Sequence, residues 1–419
     1  MLGGLLLAPD AWSEITGIVQ EDDFTTPGHR LIFRAAAQLT KAGKPSDAVT
    51  LGEQLERNGE LNGAGGLGYL WTLAKDTPSA ANVRAYAEIV ADCARRRRVR
   101  EILADAARRA EAVDDLADLL GAVMPQIEGI ATQGTAAALS FAEAWTLAID
   151  AMDDAAQTRG GIAGVPTGIP AIDQRTGGLL PRRLIVLAAR PSIGKTALAQ
   201  QIALHAASHG HPVGILSLEM SAEELAQRSM ANVYGLNLSR LTFGDDGELR
   251  KLSRAASDRP ITDLPIHLDT DTYSLGGIEA RISEWRRKHG IKLAIVDHIG
   301  LIDGGEGSTR NEHLGKITRR LKITAKRLEI PVLAVSQLSR NVERDKRRPV
   351  LADLRDSGSI EQDADIAIFL HVDPEEKSTH GIPLHIGLLK NRTGVKGWLP
   401  EQFIFNGGSQ RISELSPPA

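Results

Sequence analysis

An apolar run, Leu184-Ile185-Val186-Leu187-Ala188, leads directly into Ala189-Arg190-Pro191-Ser192-Ile193-Gly194-Lys195-Thr196, and helix-forming residues follow at once. Strand, tight loop and helix in that order form a cradle for a nucleoside triphosphate. Backbone N–H groups curl around the phosphates, the lysine neutralises charge, and the threonine hydroxyl holds Mg²⁺. The pattern G-x-x-x-x-G-K-[ST] asks for glycine in first place, where this chain has Ala189.

The strand-like runs around this loop, at 184–189, 213–218, 292–297, 331–336 and 365–370, alternate with helical stretches. That alternation predicts an α/β domain on a mostly parallel sheet. Ligands of such sheets bind at the carboxyl ends of the strands. Each further candidate residue is expected at such an end. Glu219 closes Gly214–Leu218 and is suited to orient the water that attacks a γ-phosphate, or to favour the dipole of the next helix. Asp297 closes Leu293–Val296, as a Walker B aspartate does on its way to Mg²⁺. Gln337 closes Val332–Ser336, where an amide can sense the γ-phosphate or merely cap a strand. The polar segment 339–361 carries Arg340, Arg344, Lys346, Arg347, Arg348 and Arg355, cations suited to a phosphate backbone or to ordinary solvation. Lys390 and Arg392 come at a late strand end, as an arginine-finger pair for a neighbouring subunit or as turn charges.

The first part of the chain is different. Stripes at Trp12, Ile15 and Val19, at Leu31, Ile32, Ala35 and Leu39, and at Leu51, Leu55 and Leu61 predict a small all-α domain over residues 1–97. Thr50 with Glu53 reads as a capping box. From about residue 80 to 131 the chain reads as long Ala- and Arg-rich helix, with Ile89, Val90, Val99, Ile102 and Leu103 as its packed side and Arg95–Arg98 as a solvated face. A small-residue linker at 131–140 precedes a short helix over 141–158, capped by Ser140 and striped by Phe141, Trp145, Ile149 and Met152. The α/β domain then occupies 160–419, with 98–159 as a helical linker region.

Composition excludes several classes. A net charge of −4 argues against a surface coated in positive charge, while leaving room for a local basic channel. No stretch approaches a membrane span, and the apolar start Met1–Pro9 lacks the basic residues of a secretory signal. Cys93, the single cysteine, rules out an intrachain disulfide, reads as a buried or inert thiol and fits a reducing, cytoplasmic setting.

Taken in order, these motifs resemble the DnaB family of replicative DNA helicases over nearly the whole chain. Asp353-Leu354-Arg355-Asp356-Ser357-Gly358-Ser359-Ile360-Glu361-Gln362-Asp363-Ala364-Asp365 resembles that family's DLRESGSIEQDAD, and residues 188–196 its AARPSMGKT, which explains Ala189. Ser217–Met220, Ser336–Leu338 and Lys390–Gly394 resemble its SLEM, SQL and KQRNG-type segments, and Thr77–Asn82 its NTPSAAN turn. The resemblance implies an all-α N-terminal collar domain and an α/β RecA-like P-loop ATPase domain in a homohexameric ring. It implies ATP and Mg²⁺ between subunits, with Ala189–Thr196, Asp297, Glu219 and Gln337 from one protomer and Lys390 and Arg392 from its neighbour. Thr196 and Asp297 would hold the metal, and Lys195, Glu219 and Arg392 would be catalytic. Arg355, Asp356 and Gly358 would touch single-stranded DNA in the central channel, the helix at 141–158 would dock on the adjacent protomer, and primase and a helicase loader would be partners. Translocation would run 5′ to 3′.

Three departures stand out. The family's D-Y-L-Q reads Asp297-His298-Ile299-Gly300 here; Asn391 and Thr393 flank Arg392; and Met1 falls inside the usual first helix, so the helix is shortened or the start lies upstream. Two other functions fit the same residues less well: another RecA-like DNA-dependent ATPase (a recombinase or loader), and a scaffold that recruits primase without turnover.

Overall fold

The computed structural model describes residues 1–8, 11–77, 79–80, 82–112, 116–132, 140–157, 162–258, 261–303, 310–339, 341–345 and 347–415. The chain divides into two compact units, Met1–Ala144 and Trp145–Ala419.

The first unit is helical. Its core gathers Ile15, Ile32, Leu39, Leu51, Leu55 and Leu70, each no more than 2% exposed. Fully burying side chains of this size is worth roughly 1.5–3 kcal/mol apiece. The helix Ala48–Arg57 starts one turn earlier than the Thr50 capping box requires. Asp47 is its cap, accepting from Val49 N at 2.9 Å and Thr50 N at 3.1 Å, while the Thr50 hydroxyl donates to Asp47. Asp47 Oδ1 takes both N–H groups and Oδ2 the Thr50 hydroxyl, so Asp47 and not Thr50 is the cap.

The helix Val83–Ala110 runs unbroken through residue 97. Its fully buried side is Val83, Ala87, Ala91 and Ala94; of the larger residues expected there, Val90 packs against the core and Val99 and Ile102 are half-buried, but Ile89 is 61% exposed and Leu103 51%. Alanines let neighbouring helices approach closely. Cys93 is exposed rather than buried. The arginine run is also not uniformly a solvated face. Arg96 pairs with Asp92 along its own helix, but Arg97 donates to Thr25 Oγ1 and to the Asp23 carbonyl, and Arg98 meets the buried Asp23 carboxylate. The helix Leu116–Thr132 follows. The helix Phe141–Gln157 begins with a true capping box, Glu143 N donating to Ser140 Oγ and Ser140 N to Glu143 Oε2.

In the second unit, among the described residues, ten strands form one sheet: β1 (Leu184–Ala189), β2 (Val213–Ser217), β3 (Ile266–Asp269), β4 (Leu293–Asp297), β5 (Val332–Gln337), β6 (Ile366–His371), β7 (Ile382–Asn391), β8 (Gly397–Trp398), β9 (Phe403–Asn406) and β10 (Arg411–Glu414). The order is β10-β9-β7-β6-β1-β5-β4-β2-β3, with β8 on β7. From β6 to β3 the pairing is parallel; β7 to β10 are antiparallel. The five strands legible in the sequence are all present. β3 and the antiparallel extension are additions, short or half-buried strands with weak alternation.

β1 is buried along its full length. Leu184, Val186 and Ala188 face one core, Ile185, Leu187 and Ala189 the other, as the period of two demands. One core includes the helix Lys195–Ser208; the other includes Leu275–His289 and Arg310–Leu328. Among the described residues no helix is long and apolar enough to cross a membrane.

Removing the Arg98 guanidinium leaves the buried Asp23 carboxylate short of a charged donor. Arg98→Ala is expected to destabilise the helical unit by about 1.5–3 kcal/mol, measured by urea denaturation; Arg96→Ala is expected to be near neutral.

Candidate nucleotide site

The loop after β1 takes the shape its sequence allows. Gly194 has φ +99°, in the region that favours glycine, and a Cβ there would sit 3.4 Å from the Phe405 ring of β9. Phe405 therefore floors the loop. Arg190 braces it from the other side, donating to the Leu338 carbonyl at 2.8 Å. The helix Lys195–Ser208 begins at the end of this turn, its N-terminus aimed where phosphates belong.

Neighbouring strands deliver the chemistry to the same edge. Register sets Gln337 beside Ala189, and Asp297 beside Ser217. Glu219 follows two residues after β2, and its Oε2 lies 3.4 Å from Lys195 Nζ. Lys195 is buried, whereas the Glu219 side chain is 43% exposed, so the carboxylate reaches outward from an anchored base. Asp297 is buried. Burial raises its carboxyl above the ordinary 3.8, against the opposing hydrogen bond from Thr196 and the attraction of Lys195. Among the described residues its Oδ1 has no hydrogen-bond partner. An orphaned carboxylate oxygen next to a threonine hydroxyl is a hard-oxygen donor set that fits Mg²⁺.

Lys390 and Arg392 do not join this group. β7 is antiparallel, and Lys390 and Asn391 pair with Ala367 and Ile366 at the beginning of β6. The pair therefore lies at the amino edge of the parallel strands, contrary to the expectation of a carboxyl end. From the level of Ile185 to the phosphate loop is about 13 Å along β1, with two strand spacings of about 4.8 Å besides. Lys390 Nζ donates to the carbonyls of Glu361 and Gln362, and Arg392 Nη2 to Gln362 O at 2.8 Å. Burial, then the charge of Arg392, lowers the Lys390 ammonium.

Arg355 and Asp356 lie in a 3₁₀ segment, Leu351–Ser357, and Gly358 opens the short helix Gly358–Asp363; their side chains fall outside the described set. Arg340 and Lys346 lie outside it altogether. The acids flanking this segment have structural partners. Asp353 takes a bidentate pair from Arg347 at 2.7 Å. Asp365 accepts from Leu184 N at 2.8 Å and from Lys322. Burial alone raises the Asp365 carboxyl, but Lys322 and the Leu184 amide outweigh it and hold it below its ordinary value. Sequence reasoning missed Phe405, the Leu338 brace and a contact between His298 and Gln337; none has a local signature, since each joins segments distant along the chain.

A central parallel sheet, a phosphate loop at its carboxyl edge, and a lysine, two acids and an amide around that loop define a P-loop nucleotide-binding ATPase domain, which follows a helical domain in the chain. Residues 164–413 match the DnaB-like helicase C terminal domain and residues 1–92 the DnaB-like helicase N terminal domain. The replicative DNA helicase DnaB of Leifsonia xyli subsp. xyli is 34% identical over 99% of this chain and 92% of its own. The replicative DNA helicase DnaC of Bacillus subtilis is 33% identical over 96% and 91%. A solved DnaB-like replicative helicase, described with its interactions with primase, superposes with a TM-score of 0.74 at 26% identity, covering 99% of this chain and 98% of that one. A second solved structure, an isolated ATPase domain, does so at 0.60 and 30%, covering 66% and 99%. The chain belongs to the DnaB-like family of replicative DNA helicases, enzymes of the ATP-dependent type.

A carboxyl group whose folded pKa lies above its unfolded value costs stability once the pH exceeds the unfolded value. Asp297→Asn is therefore expected to raise the melting temperature of the nucleotide-free protein at pH 7 by a few degrees, with the gain vanishing below about pH 4, while ATP turnover is lost.

Proposed function

We propose that this helicase works as a homohexameric ring that moves 5′ to 3′ on single-stranded DNA, with each ATP held at a seam between protomers. The observation that carries this is the split of the site across the sheet. Lys195, Thr196, Glu219, Asp297 and Gln337 converge at the carboxyl edge, while Lys390 and Arg392 stand at the opposite edge of the same domain. A protomer so built is unable to bring its own finger to its own triphosphate; a neighbour is able to.

The roles follow from position. The backbone of Ala189 to Gly194 cradles the phosphates, with Arg190, Pro191, Ser192 and Ile193 forming the turn. Lys195 neutralises the transferring phosphoryl group, and Glu219 orients the attacking water. Thr196 and Asp297 would hold Mg²⁺, which would supply charge neutralisation to the triphosphate. Arg392 of one protomer, helped by Lys390, stabilises charge on the triphosphate of the next. Gln337 registers the γ-phosphate, and the segment with Arg355, Asp356 and Gly358 grips the DNA backbone. Contacts of that kind carry little sequence information, so binding is non-specific and weakens with salt.

Residues 1–97 serve as a helical collar, 98–159 as the linker region and 160–419 as the motor. The helix Phe141–Gln157 presents Leu147 (55% exposed), Ile149 (42%) and Met152 (66%) for docking on a second copy of this chain. Primase, by analogy with the solved relative, and a loader are the protein partners, and the cytoplasm is the setting. A recombinase or a turnover-free scaffold finds no specific support in this arrangement.

Lys195→Ala and Arg392→Ala are each expected to lower ATPase by about 10³ or more. Co-assembled, the two variants are expected to regain a measurable fraction, because a Lys195→Ala protomer still lends Arg392 to an intact phosphate loop. Absence of any recovery in mixed rings would put both residues in one protomer's site. Ile149→Asp with Met152→Asp is expected to shift the hexamer to smaller species in light scattering.

A further inference from the structure

His298 is a buried imidazole directly after the metal-site acid. Both of its nitrogens have partners. The Gly300 N–H donates to Nδ1 at 3.0 Å, so Nδ1 carries the lone pair and the neutral ring carries its proton on Nε2. Nε2 lies 3.2 Å from the nitrogen of the Gln337 side-chain amide, so two N–H groups would face each other unless that amide is turned over. An N–H facing an amide needs the carbonyl oxygen, so the network orients Gln337 with Oε1 toward the ring. In that orientation its NH₂ group turns away from His298 and is left to donate elsewhere.

Gly300 is part of the same device. A Cβ there would sit 2.9 Å from His298 Cε1 and 3.0 Å from Nδ1. Only a residue without a side chain lets the ring close onto the 300 amide. His298 and Gly300 are also the outer two of the three places where the chain departs from D-Y-L-Q. The two departures fit one another: the histidine needs the glycine.

We propose that His298 is a positioning residue that fixes the amide of Gln337 with its NH₂ toward the γ-phosphate, joining the end of β4 to the end of the neighbouring β5. The proposal rests on Gln337 as the γ-phosphate sensor. Loss of the γ-phosphate frees the NH₂ group while the imidazole still holds Oε1, so the amide returns to the same orientation for the next ATP. A free glutamine side chain would have to find that rotamer afresh each cycle.

The test is a double-mutant cycle in the full-length protein, read as kcat and KM for ATP with a saturating oligo-dT strand. Gln337→Ala is expected to lower kcat about tenfold or more, and His298→Phe to lower it by a similar factor with KM changed less than about twofold. The double variant is expected to be no slower than Gln337→Ala, since the two act as one unit. His298→Gln, whose amide reaches the place of Nε2, is expected to regain most of the loss. Full kcat in Gln337→Ala overturns the sensor reading and this proposal with it. Full kcat in His298→Phe beside an impaired Gln337→Ala overturns only the proposal. Multiplied losses in the double variant do the same. If His298→Phe fails to fold by circular dichroism, Gly300→Ala displaces the ring with one methyl group and is expected to give the same kcat loss; unchanged kcat there overturns the proposal.

Discussion

The double burial of β1 is the constraint on which the rest of the ATPase unit depends. Alternate side chains enter two separate cores, so a slip of one residue against β5 or β6 would exchange both sets at once. The strand therefore ends at one level only. Gln337 is paired with Ala189 at that level, and the phosphate loop starts there. Positions that look like chemistry are set by hydrophobic register.

The same register sets Lys390 and Arg392 apart from the phosphate loop of their own chain. Parallel strands send their carboxyl ends to one edge, and an antiparallel strand sends its own end to the other. β7 reverses direction, so Lys390 and Arg392 at its end lie away from the phosphate loop. Asp365 sits where these elements meet, holding the first amide of β1, Lys322 and, at 3.7 Å, Arg392. The carbonyls of residues 361 and 362 take donors of Lys390 and Arg392, so this pair and the end of the segment 339–361 are in contact within one protomer.

Much of this was legible in the sequence because it is local. Apolar runs alternating with helical stretches, and Gly-Lys-Thr after such a run, are short patterns with a direct physical reading, and β1, β2, β4, β5 and β6 followed from them. What stayed hidden was either weakly patterned or long-range. β3 is short and half-exposed. Asp47 outcompeted Thr50 as a cap because three-residue spacing fits more than one start. Arg97 and Arg98 looked solvated until a turn some 75 residues earlier supplied acceptors. The edge on which Lys390 falls depends on strand direction, which periodicity does not encode.

The floor of the phosphate loop is built from Phe405, and the helix that follows the loop is tied to β10, Gln201 exchanging bonds of 2.8 and 2.9 Å with the backbone of Ile412. These supports are encoded roughly two hundred residues downstream of the loop they hold. A chain still emerging from the ribosome thus has its most recognisable motif long before it has the masonry beneath it.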